Sequence, residues 1–415
     1  MTITKQADLS PHELLKLEMA GTFGKNIKTS GDCLLLSNDI FDKISFKVNS
    51  NTLRRFFKLV KSNHLPSLTT LDILSKYCGF NSFDEFLRLK NKNHVTDNKD
   101  HYGDSILNYL VSLFREPYVK EFENKTFTAI VKETIIFLER HPELIDKFQR
   151  AISKTKNGQD FYFEHFINLD KLNSFYGEGL RYYILEKKTT EAQIFGHALL
   201  CLKSWLTGND LEVARHYKHL NECRITKELH PFLLGRFFAS QLLYADLYHL
   251  SAKKIFAEAR QIHRSIQYTE IKNKYQLFPC FEYIICPILF FTGHYEEALY
   301  YINYYLDNYR QKPSKIDAAF YQRMDLYTAL VFMKTGREKE AYHLYKKIFP
   351  SNFSFLSKKY DTIMYLILSR NFDKISQPDI HFYNLIEETG FTTLTHLINL
   401  FPAHEGKMNK NELLR

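Results

Sequence analysis

The stretch that decides the fold reads Phe291-Thr292-Gly293-His294-Tyr295-Glu296-Glu297-Ala298-Leu299. An apolar run precedes it and ends at Gly293, a residue type that readily takes the left-handed conformation after a helix. Acidic residues then open a second segment, where they favour the positive end of a helix dipole. The small Ala298 lets the second helix lie close to the first. The stretch therefore predicts two antiparallel helices joined by a tight turn.

The same pattern recurs along the C-terminal part of the chain. It returns 43 residues later as Lys334-Thr335-Gly336-Arg337-Glu338-Lys339-Glu340-Ala341-Tyr342, and 85 residues earlier as Leu206-Thr207-Gly208-Asn209-Asp210-Leu211-Glu212-Val213-Ala214. Because 85 is about twice 43, one copy is missing, and it lies without a glycine at Leu247-Tyr248-His249-Leu250-Ser251-Ala252-Lys253-Lys254-Ile255-Phe256. Apolar residues at helical spacing flank each turn and predict about five helix pairs between Glu191 and Phe401.

These turns resemble those of the tetratricopeptide repeat, in which Gly-x-x-x-x-Ala joins the two helices of a pair. The pattern is matched by Gly293 with Ala298 and by Gly336 with Ala341. Gly208 and Ala214 stand one residue too far apart, and the longer period implies longer helices. The resemblance implies a divergent α-solenoid, all-α in class, whose groove binds a peptide or protein.

Composition agrees with an all-α protein that carries a packed core. Hydrophobic residues make up 45% of the 415 residues, and glycine and proline are scarce. The N-terminus lacks the apolar segment of a signal peptide, and the most apolar run, Tyr283–Phe291, is about half the length that crosses a bilayer. The six cysteines are scattered, which favours reduced thiols and a cytoplasmic location without a membrane partner.

Sequence motifs of enzymes are missing, so we expect a protein without catalytic activity, metal or cofactor. No phosphate-binding loop, nucleophile elbow or His-Glu-x-x-His run occurs. His216, His219 and Cys223 stand at helical spacing, but three ligands on one exposed helix make a poor metal site. We interpret Gly177-Glu178-Gly179 as an ordinary turn, because it has no second carboxylate for acid–base chemistry.

Polar runs divide the chain into segments. Residues 90–100 are almost entirely polar and predict a linker, because such a composition buries nothing. The predicted organisation is a helical head over 1–92, a linker over 93–104, a bundle or degenerate repeats over 105–190, repeats over 191–402 and a polar tail over 403–415.

The head contains a helix that combines a cap, an apolar face and a basic face. Ser50 is its expected N-cap, and the helix is predicted to run to Val60. Leu53, Phe56, Phe57 and Val60 share one face. The segment from 43 to 71 has six basic residues and no acid, as phosphate contacts require.

This part of the head resembles the second half of a lambda-repressor-like (Cro-like) helix-turn-helix domain. The resemblance covers about 40 residues and rests on Ser50, Thr52, Leu53, Arg55, Pro66, Ser67, Leu68, Thr70, Leu71 and Gly79. The preceding helix, from Asp32 to Ile44, departs from the family, because a longer connection over 44–49 follows it. The resemblance implies a recognition helix in the DNA major groove.

The residues that would contact DNA follow from this placement. Asn51 and Thr52 would reach base edges, and Arg54 or Arg55 would contact bases or phosphate. Lys47, Lys58 and Lys61 would contact phosphates. The alternative is that the head serves packing or dimerisation only.

Together the two resemblances imply a DNA-binding transcriptional regulator, similar to peptide-sensing regulators. The rival is a non-enzymatic interaction scaffold with a degenerate head. A homodimer is compatible with either. Tyr300 and Tyr304 lie off the Ala298 stripe and are candidates for stacking on a peptide, whereas Tyr305 and Tyr309 share that stripe and are expected in the core.

Overall fold

The chain is helical wherever its structure is described. The structure is a computed structural model that describes residues 11–60, 66–90, 99–115, 117, 119, 124–226, 228–266, 280–308, 318–373 and 378–401. Within these ranges every regular element is a helix and no strand occurs, so the all-α prediction is confirmed. No helix in the same ranges is both long and apolar enough to cross a membrane. The chain divides into two compact units, residues 1–144 and 145–415.

The first unit begins with the predicted head and continues beyond it. Its helices are α1 (Pro11–Phe23), α2 (Ser30–Ile44), α3 (Ser50–Phe56), α4 (Leu68–Tyr77), α5 (Phe83–Lys90), α6 (Lys99–Arg115) and α7 (Lys125–Arg140). Helix α8 (Pro142–Ile152) crosses the boundary between the units. Thr29 and Asp32 form a reciprocal capping box that fixes the start of α2.

The predicted linker over 93–104 differs from the structure in its second half. Residues 91–98 lie outside the described residues, but α6 begins at Lys99. Helix α6 is held by an apolar stripe in its later turns, where Ile106, Leu110 and Phe114 are buried. Helix α6 also packs on the head, where the rings of His12 and Tyr109 lie 5.2 Å apart. The boundary between compact units therefore falls at residue 144, and not at the polar stretch.

The second unit is a succession of helices with two short 3₁₀ turns. After a π-helical segment (Gly158–His165) come α9 (Phe175–Glu186), α10 (Thr190–Leu206), α11 (Asp210–Asn221), α12 (Pro231–Leu247), α13 (Lys253–Ser265), α14 (Phe281–Phe291), α15 (Tyr295–Asn308), α16 (Ala318–Lys334), α17 (Glu338–Tyr345), a 3₁₀ turn (Pro350–Asn352), α18 (Lys358–Ser369), α19 (Pro378–Thr389), a 3₁₀ turn (Thr392–His396) and α20 (Leu397–Leu400).

The helices from α10 onward pack as pairs. Among the described residues five pairs are present, α10 with α11, α12 with α13, α14 with α15, α16 with α17 and α18 with α19. The first helix of each pair also packs on the first helix of the next, so α10, α12, α14, α16 and α18 form a row. Each pair leaves an apolar face that only its neighbours cover, which is the packing logic of a repeat array.

The turns inside the pairs share one backbone geometry. A residue with positive φ follows the first helix of four pairs, namely Gly208 (φ 67°), His249 (52°), Gly293 (75°) and Gly336 (76°). The next backbone N–H donates to the carbonyl five residues earlier, at 2.8–2.9 Å, which closes a Schellman motif. The turn predicted at Gly293 is therefore present in each of these four copies.

Two copies keep the turn with an unexpected residue. His249 adopts the left-handed conformation in the copy that lacks glycine. In the first copy Val213 is fully buried at the position that Ala298 and Ala341 occupy in theirs, and Ala214 is only half-buried. The spacing from the glycine to the packed residue is therefore the same in all three copies. In the first copy that residue is Val213, and Ala214 only follows it.

The prediction of a turn at Gly177-Glu178-Gly179 was wrong, because these residues form the first turns of α9. Both glycines are required by close packing. A Cβ at Gly177 would lie 2.1 Å from the carbonyl oxygen of Leu172, and one at Gly179 would lie 2.6 Å from the buried amide of Gln149.

Candidate functional site

The head places α3 against α2 through a short connection. Leu53 and Phe56 of α3 are buried, as are Cys33 and Leu36 of α2. The hydroxyl of Ser37 donates to the carbonyl of Val48 at 2.5 Å and fixes the connection to α2. The buried side chains of α2 and α3 therefore hold the first turn of α3 at the surface.

Helix α3 is shorter than predicted. Its N-cap is Asn49, whose side chain accepts from the N–H of Asn51 at 2.8 Å, and the helix ends at Phe56. Lys58 has a φ of 57°, so the chain turns away from the helix there. Val60, placed on the apolar face by the helical pattern, is 42% exposed. Apolar residues continue at helical spacing beyond the end of α3. The left-handed residue that follows the helix is Lys58 and not a glycine, so the sequence pattern did not reveal the end.

Of the seven predicted DNA-contacting residues, four are exposed, two are half-buried and one lies outside the described residues. Lys47, Asn51, Arg55 and Lys58 are exposed, whereas Thr52 and Arg54 are half-buried. Lys61 lies outside the described residues. Asn51 and Arg54 are joined, because Arg54 donates to the side-chain oxygen of Asn51 at 3.2 Å. Arg54 therefore positions Asn51 in this structure.

His12 is a half-buried group near this surface that the sequence patterns did not single out. Its ring packs against Phe56, Phe83 and Tyr109. Burial first, and then the charges of Lys16 and Lys58, lower its pKa to about 4. Neutral His12 thus joins α1 to α3 and α6 without adding charge beside the basic residues.

An apolar surface also lies on the head. Leu34, Leu35 and Phe41 of α2 are each more than half exposed. Exposed apolar groups of this size on neighbouring turns are typical of a contact with another macromolecule.

The second unit contains a cavity of about 220 Å³ along the row of first helices. Its walls come from α10, α12, α14, α16 and α18, and from the segments that follow the π-helix and precede α18. Apolar groups dominate it, among them Phe232, Ala239, Ile284, Pro287, Ile288 and Leu356. Pro287 lies inside α14 and has no N–H to donate to the preceding turn, which weakens the helix at this wall.

Arg236 of α12 carries a buried charge into this cavity. The residue is 7% exposed, and its Nε has no hydrogen-bond partner among the described residues. Its guanidinium carbon lies 4.5 Å from the ring centre of Phe232 and 5.8 Å from that of Phe195. Burial lowers its pKa to about 10, so the side chain remains protonated at neutral pH.

The other charged residues of the cavity have partners. Arg323 donates to both carboxylate oxygens of Asp361, at 2.7 and 2.8 Å, and Ser357 donates to the same carboxylate. Glu164 is ion-paired with Lys187. Burial raises the pKa of Glu164 and lowers that of His165, which disfavours charge on both. Arg236 differs from Arg323 in having no carboxylate partner among the described residues, although both guanidinium groups lie over aromatic rings.

The predicted peptide-contacting tyrosines lie elsewhere. Tyr300 and Tyr304 are half-buried on α15, where Arg260 lies over the ring of Tyr300 and His263 contacts that of Tyr304. Neither residue lines the cavity. Tyr305 is fully buried, as predicted, and Tyr309 lies outside the described residues.

The three residues considered for a metal are engaged with other groups of the chain. His216 is buried and its Nδ1 lies 3.0 Å from Nδ1 of His197. His219 stacks on His197, and Cys223 contacts the carbonyl oxygen of His219. Over the described part of the chain, no group of three or more His, Cys, Asp or Glu residues is arranged to hold a metal.

Comparison with known proteins adds no family assignment. No protein-family model matches the chain, and neither the curated proteins nor the solved structures contain a significant match. The functional argument therefore rests on the two surfaces of the head and the cavity of the second unit.

Proposed function

We propose that this protein is a DNA-binding transcriptional regulator whose helix pairs bind a peptide or protein partner. The observation that carries the proposal is the surface around the first turn of α3. Lys47, Asn51 and Arg55 are exposed there together on a head whose α2 and α3 pack against each other. A short helix with a basic exposed face suits entry into a major groove lined by phosphates.

Each exposed side chain has a role that its chemistry allows. Lys47 and Lys58 serve phosphates, since an ammonium is a point charge without base preference. Arg55 presents a planar fork that fits guanine, and Asn51 offers an amide that fits adenine. Arg54 positions Asn51 through the 3.2 Å hydrogen bond to its Oδ1. Asn51 must be released from this bond if its amide is to form two hydrogen bonds with a base. Thr52 is half-buried and contributes at most a methyl or hydroxyl contact.

The test is fluorescence anisotropy of the full chain on a preferred duplex and on a scrambled duplex at two salt concentrations. We expect Arg55→Ala and Asn51→Ala to lose roughly 1–3 kcal/mol on the preferred duplex and little on the scrambled one. Lys47→Ala should weaken both equally and reduce the salt slope by about 1. Lys58→Ala should likewise weaken both, because Lys58 is exposed and because lysine and alanine both carry a Cβ, so its φ of 57° costs the same in each.

Lys218→Ala is the matched control, because this exposed lysine lies on α11 in the second unit. It removes one charge and should leave DNA affinity unchanged. If Lys47→Ala and Lys218→Ala had equal effects, the binding would reflect net charge and not the surface around α3.

A second candidate function is a protein-interaction scaffold whose head does not bind DNA. The exposed Leu34, Leu35 and Phe41 favour it, because an apolar face on α2 suits a protein better than a phosphate backbone. The same face suits a homodimer. Sedimentation of the wild type and of Leu35→Glu separates these possibilities: a dimer that the variant dissociates supports self-association through α2.

The proposal includes a cytoplasmic location, where DNA and peptides both meet the protein. Its support is the state of the cysteines. All six are free of disulfides, and Cys33, Cys201, Cys280 and Cys286 are buried as thiols. Reduced thiols are typical of a reducing compartment.

A further inference from the structure

The cavity of the second unit contains a buried arginine that forms no ion pair with a described residue. Arg236 is buried, makes no ion pair with any described residue and leaves Nε without an acceptor. Arg323, from α16 in the same wall, is matched by Asp361 through two hydrogen bonds. Both arginines line one cavity, but only Arg323 is paired with a carboxylate, and Arg236 has no carboxylate partner among the described residues.

A buried cation without a counter-ion is costly, so it needs a reason to be retained. The rings of Phe232 and Phe195 compensate part of the charge by cation–π attraction. They provide no acceptor for the N–H groups of the guanidinium. An oxyanion would supply both the negative charge and the acceptors, through the paired hydrogen bonds that a guanidinium favours.

The acidic residue of the cavity does not fill this role. Glu164 is held by Lys187 and by the hydroxyl of Tyr183, at 2.6 Å. Asp160 accepts from the same lysine at 2.7 Å. Lys187 therefore pairs with both Glu164 and Asp160, and neither carboxylate forms an ion pair with Arg236.

The remaining walls define the rest of the ligand. They are mostly apolar, with Leu202, Leu243, Ile284 and Ile288 around the charge. The hydroxyl of Ser240, one turn after Arg236, is engaged by the carbonyl of Arg236 at 3.0 Å. A volume of about 220 Å³ corresponds to a small molecule and is below the usual size of a drug-like pocket. An apolar group with one anionic end fits these walls.

We propose that this cavity is a binding site for a small apolar carboxylic acid, anchored by Arg236. The site is distinct from the surface around α3 and from Tyr300 and Tyr304. It gives the second unit a small-molecule ligand in addition to the peptide or protein partner of the proposed function. The two claims are independent, since DNA affinity does not enter the test below.

The test uses the full chain and pairs of probes that differ only in charge. The acids are phenylacetate, hexanoate and N-acetyl-leucine, and their neutral partners are phenylacetamide, hexanamide and N-acetyl-leucinamide. Thermal shift and calorimetry measure binding, with inorganic phosphate as a further probe. We expect at least one acid to raise the melting temperature and bind at least tenfold more tightly than its amide, because a charge-assisted hydrogen bond is lost in the amide.

Arg236→Met tests the anchor, and Arg215→Met is its matched control on the exposed side of α11. Both remove one positive charge. Arg236→Met should reduce the affinity of the acid at least about tenfold while keeping the helical circular dichroism and a melting temperature no lower than that of the wild type. Arg215→Met should bind like the wild type.

Several results would overturn the proposal. Equal binding of acids and amides would remove the charge from the recognition. Unchanged affinity in Arg236→Met would remove the anchor. Binding of phosphate as tight as that of the acids would remove the apolar half of the site. Failure of all the acids, or capture of peptides only, would leave the cavity without the ligand class assigned here. The proposal is supported if the wild type binds at least one acid more tightly than its amide, and if Arg236→Met loses this binding while Arg215→Met keeps it, whatever the outcome with DNA.

Discussion

At the residue scale, the histidine pair of α10 and α11 couples the fold to pH. His197 and His216 are buried, and their Nδ1 atoms lie 3.0 Å apart, so one ring donates and the other accepts, and protonation of both rings would remove the acceptor. Burial first, and then the neighbouring positive groups, lower the pKa of His197 to about 3 and that of His216 to about 4. The folded protein therefore keeps both rings neutral well below the ordinary histidine pKa.

The sign of the resulting pH dependence follows from proton counting. Below about pH 6.5 the unfolded chain binds protons at these histidines, and the folded chain binds none until about pH 4. The free energy of unfolding should thus fall by roughly 1–3 kcal/mol per histidine as the pH is lowered from 6.5 to 4. Above pH 6.5 it should not change with these two groups. Urea midpoints at pH 7.5, 6 and 5 measure it.

The double variant His197→Leu and His216→Leu should reduce this dependence without removing it, because burial also lowers the pKa of His12 and that of His230 to about 4. His381→Gln, at an exposed position of α19, is the control and should keep the slope of the wild type. Parallel slopes in the wild type and the double variant would show that other groups govern the acid sensitivity.

The residue proposed as the anchor of the cavity was missed by the sequence patterns but left a signal. Arg236 stands in a mostly apolar helix, α12, whose only other charged residue is Asp246 near its end. A lone arginine on an apolar helix predicts burial with a partner, but the sequence does not tell whether that partner is an acid of the chain or a ligand. That distinction needs the positions of Asp361 and Glu164, which lie far away in sequence.

At the element scale, the turns inside the helix pairs offer a matched set of changes. Gly293 has a φ of 75° and open space where a Cβ would lie, so a substitution there meets backbone strain and no clash. Gly293→Val should lower the unfolding free energy by about 1 kcal/mol or more. His249→Gly should raise it by roughly 0.5–1 kcal/mol, because His249 holds the same conformation at a cost that glycine avoids. Thermal and urea melts of the full chain measure both.

Gly21→Ala is the control, since Gly21 lies in α1 with an ordinary helical φ and open space around it. Alanine there should be neutral or stabilising. The shared turn geometry would be contradicted if Gly293→Val were harmless, or if His249→Gly lowered the melting temperature as a loss of side-chain contacts would.

The elements that the sequence predicted well are those with a local cause. The turns at Gly208, Gly293 and Gly336 follow from glycine chemistry and helical spacing. Helix α3 was predicted too long, because apolar spacing alone does not reveal a left-handed residue such as Lys58. The cavity has no local cause, since it arises where five helices meet.

At the scale of the whole molecule, the boundary between the units decides which part of the chain folds alone. Phe148 of α8 packs on Tyr162, with ring centres 5.5 Å apart, inside the second unit. A fragment of residues 142–415 keeps α8 complete and should be helical, monodisperse and cooperative in melting. Circular dichroism and light scattering measure this.

A longer fragment, residues 99–415, should behave worse than the shorter one. It retains α6 and α7 but lacks the head on which α6 packs, so Tyr109 loses the ring of His12 and the adjoining apolar face is uncovered. A well-behaved 99–415 fragment together with an aggregating 142–415 fragment would place α6 and α7 with the second unit, and would restore the predicted boundary at the linker over 93–104.

The central claim is that the head reads DNA. The most direct measurement is enrichment of duplexes from a random pool by the purified full chain at low salt, followed by sequencing, with Asn51→Ala and Arg55→Ala run in parallel. We expect a short motif enriched by the wild type, a blurred motif with each variant, and loss of binding as salt rises. No enrichment and no binding by the wild type at low salt would contradict the claim and leave the interaction scaffold in its place.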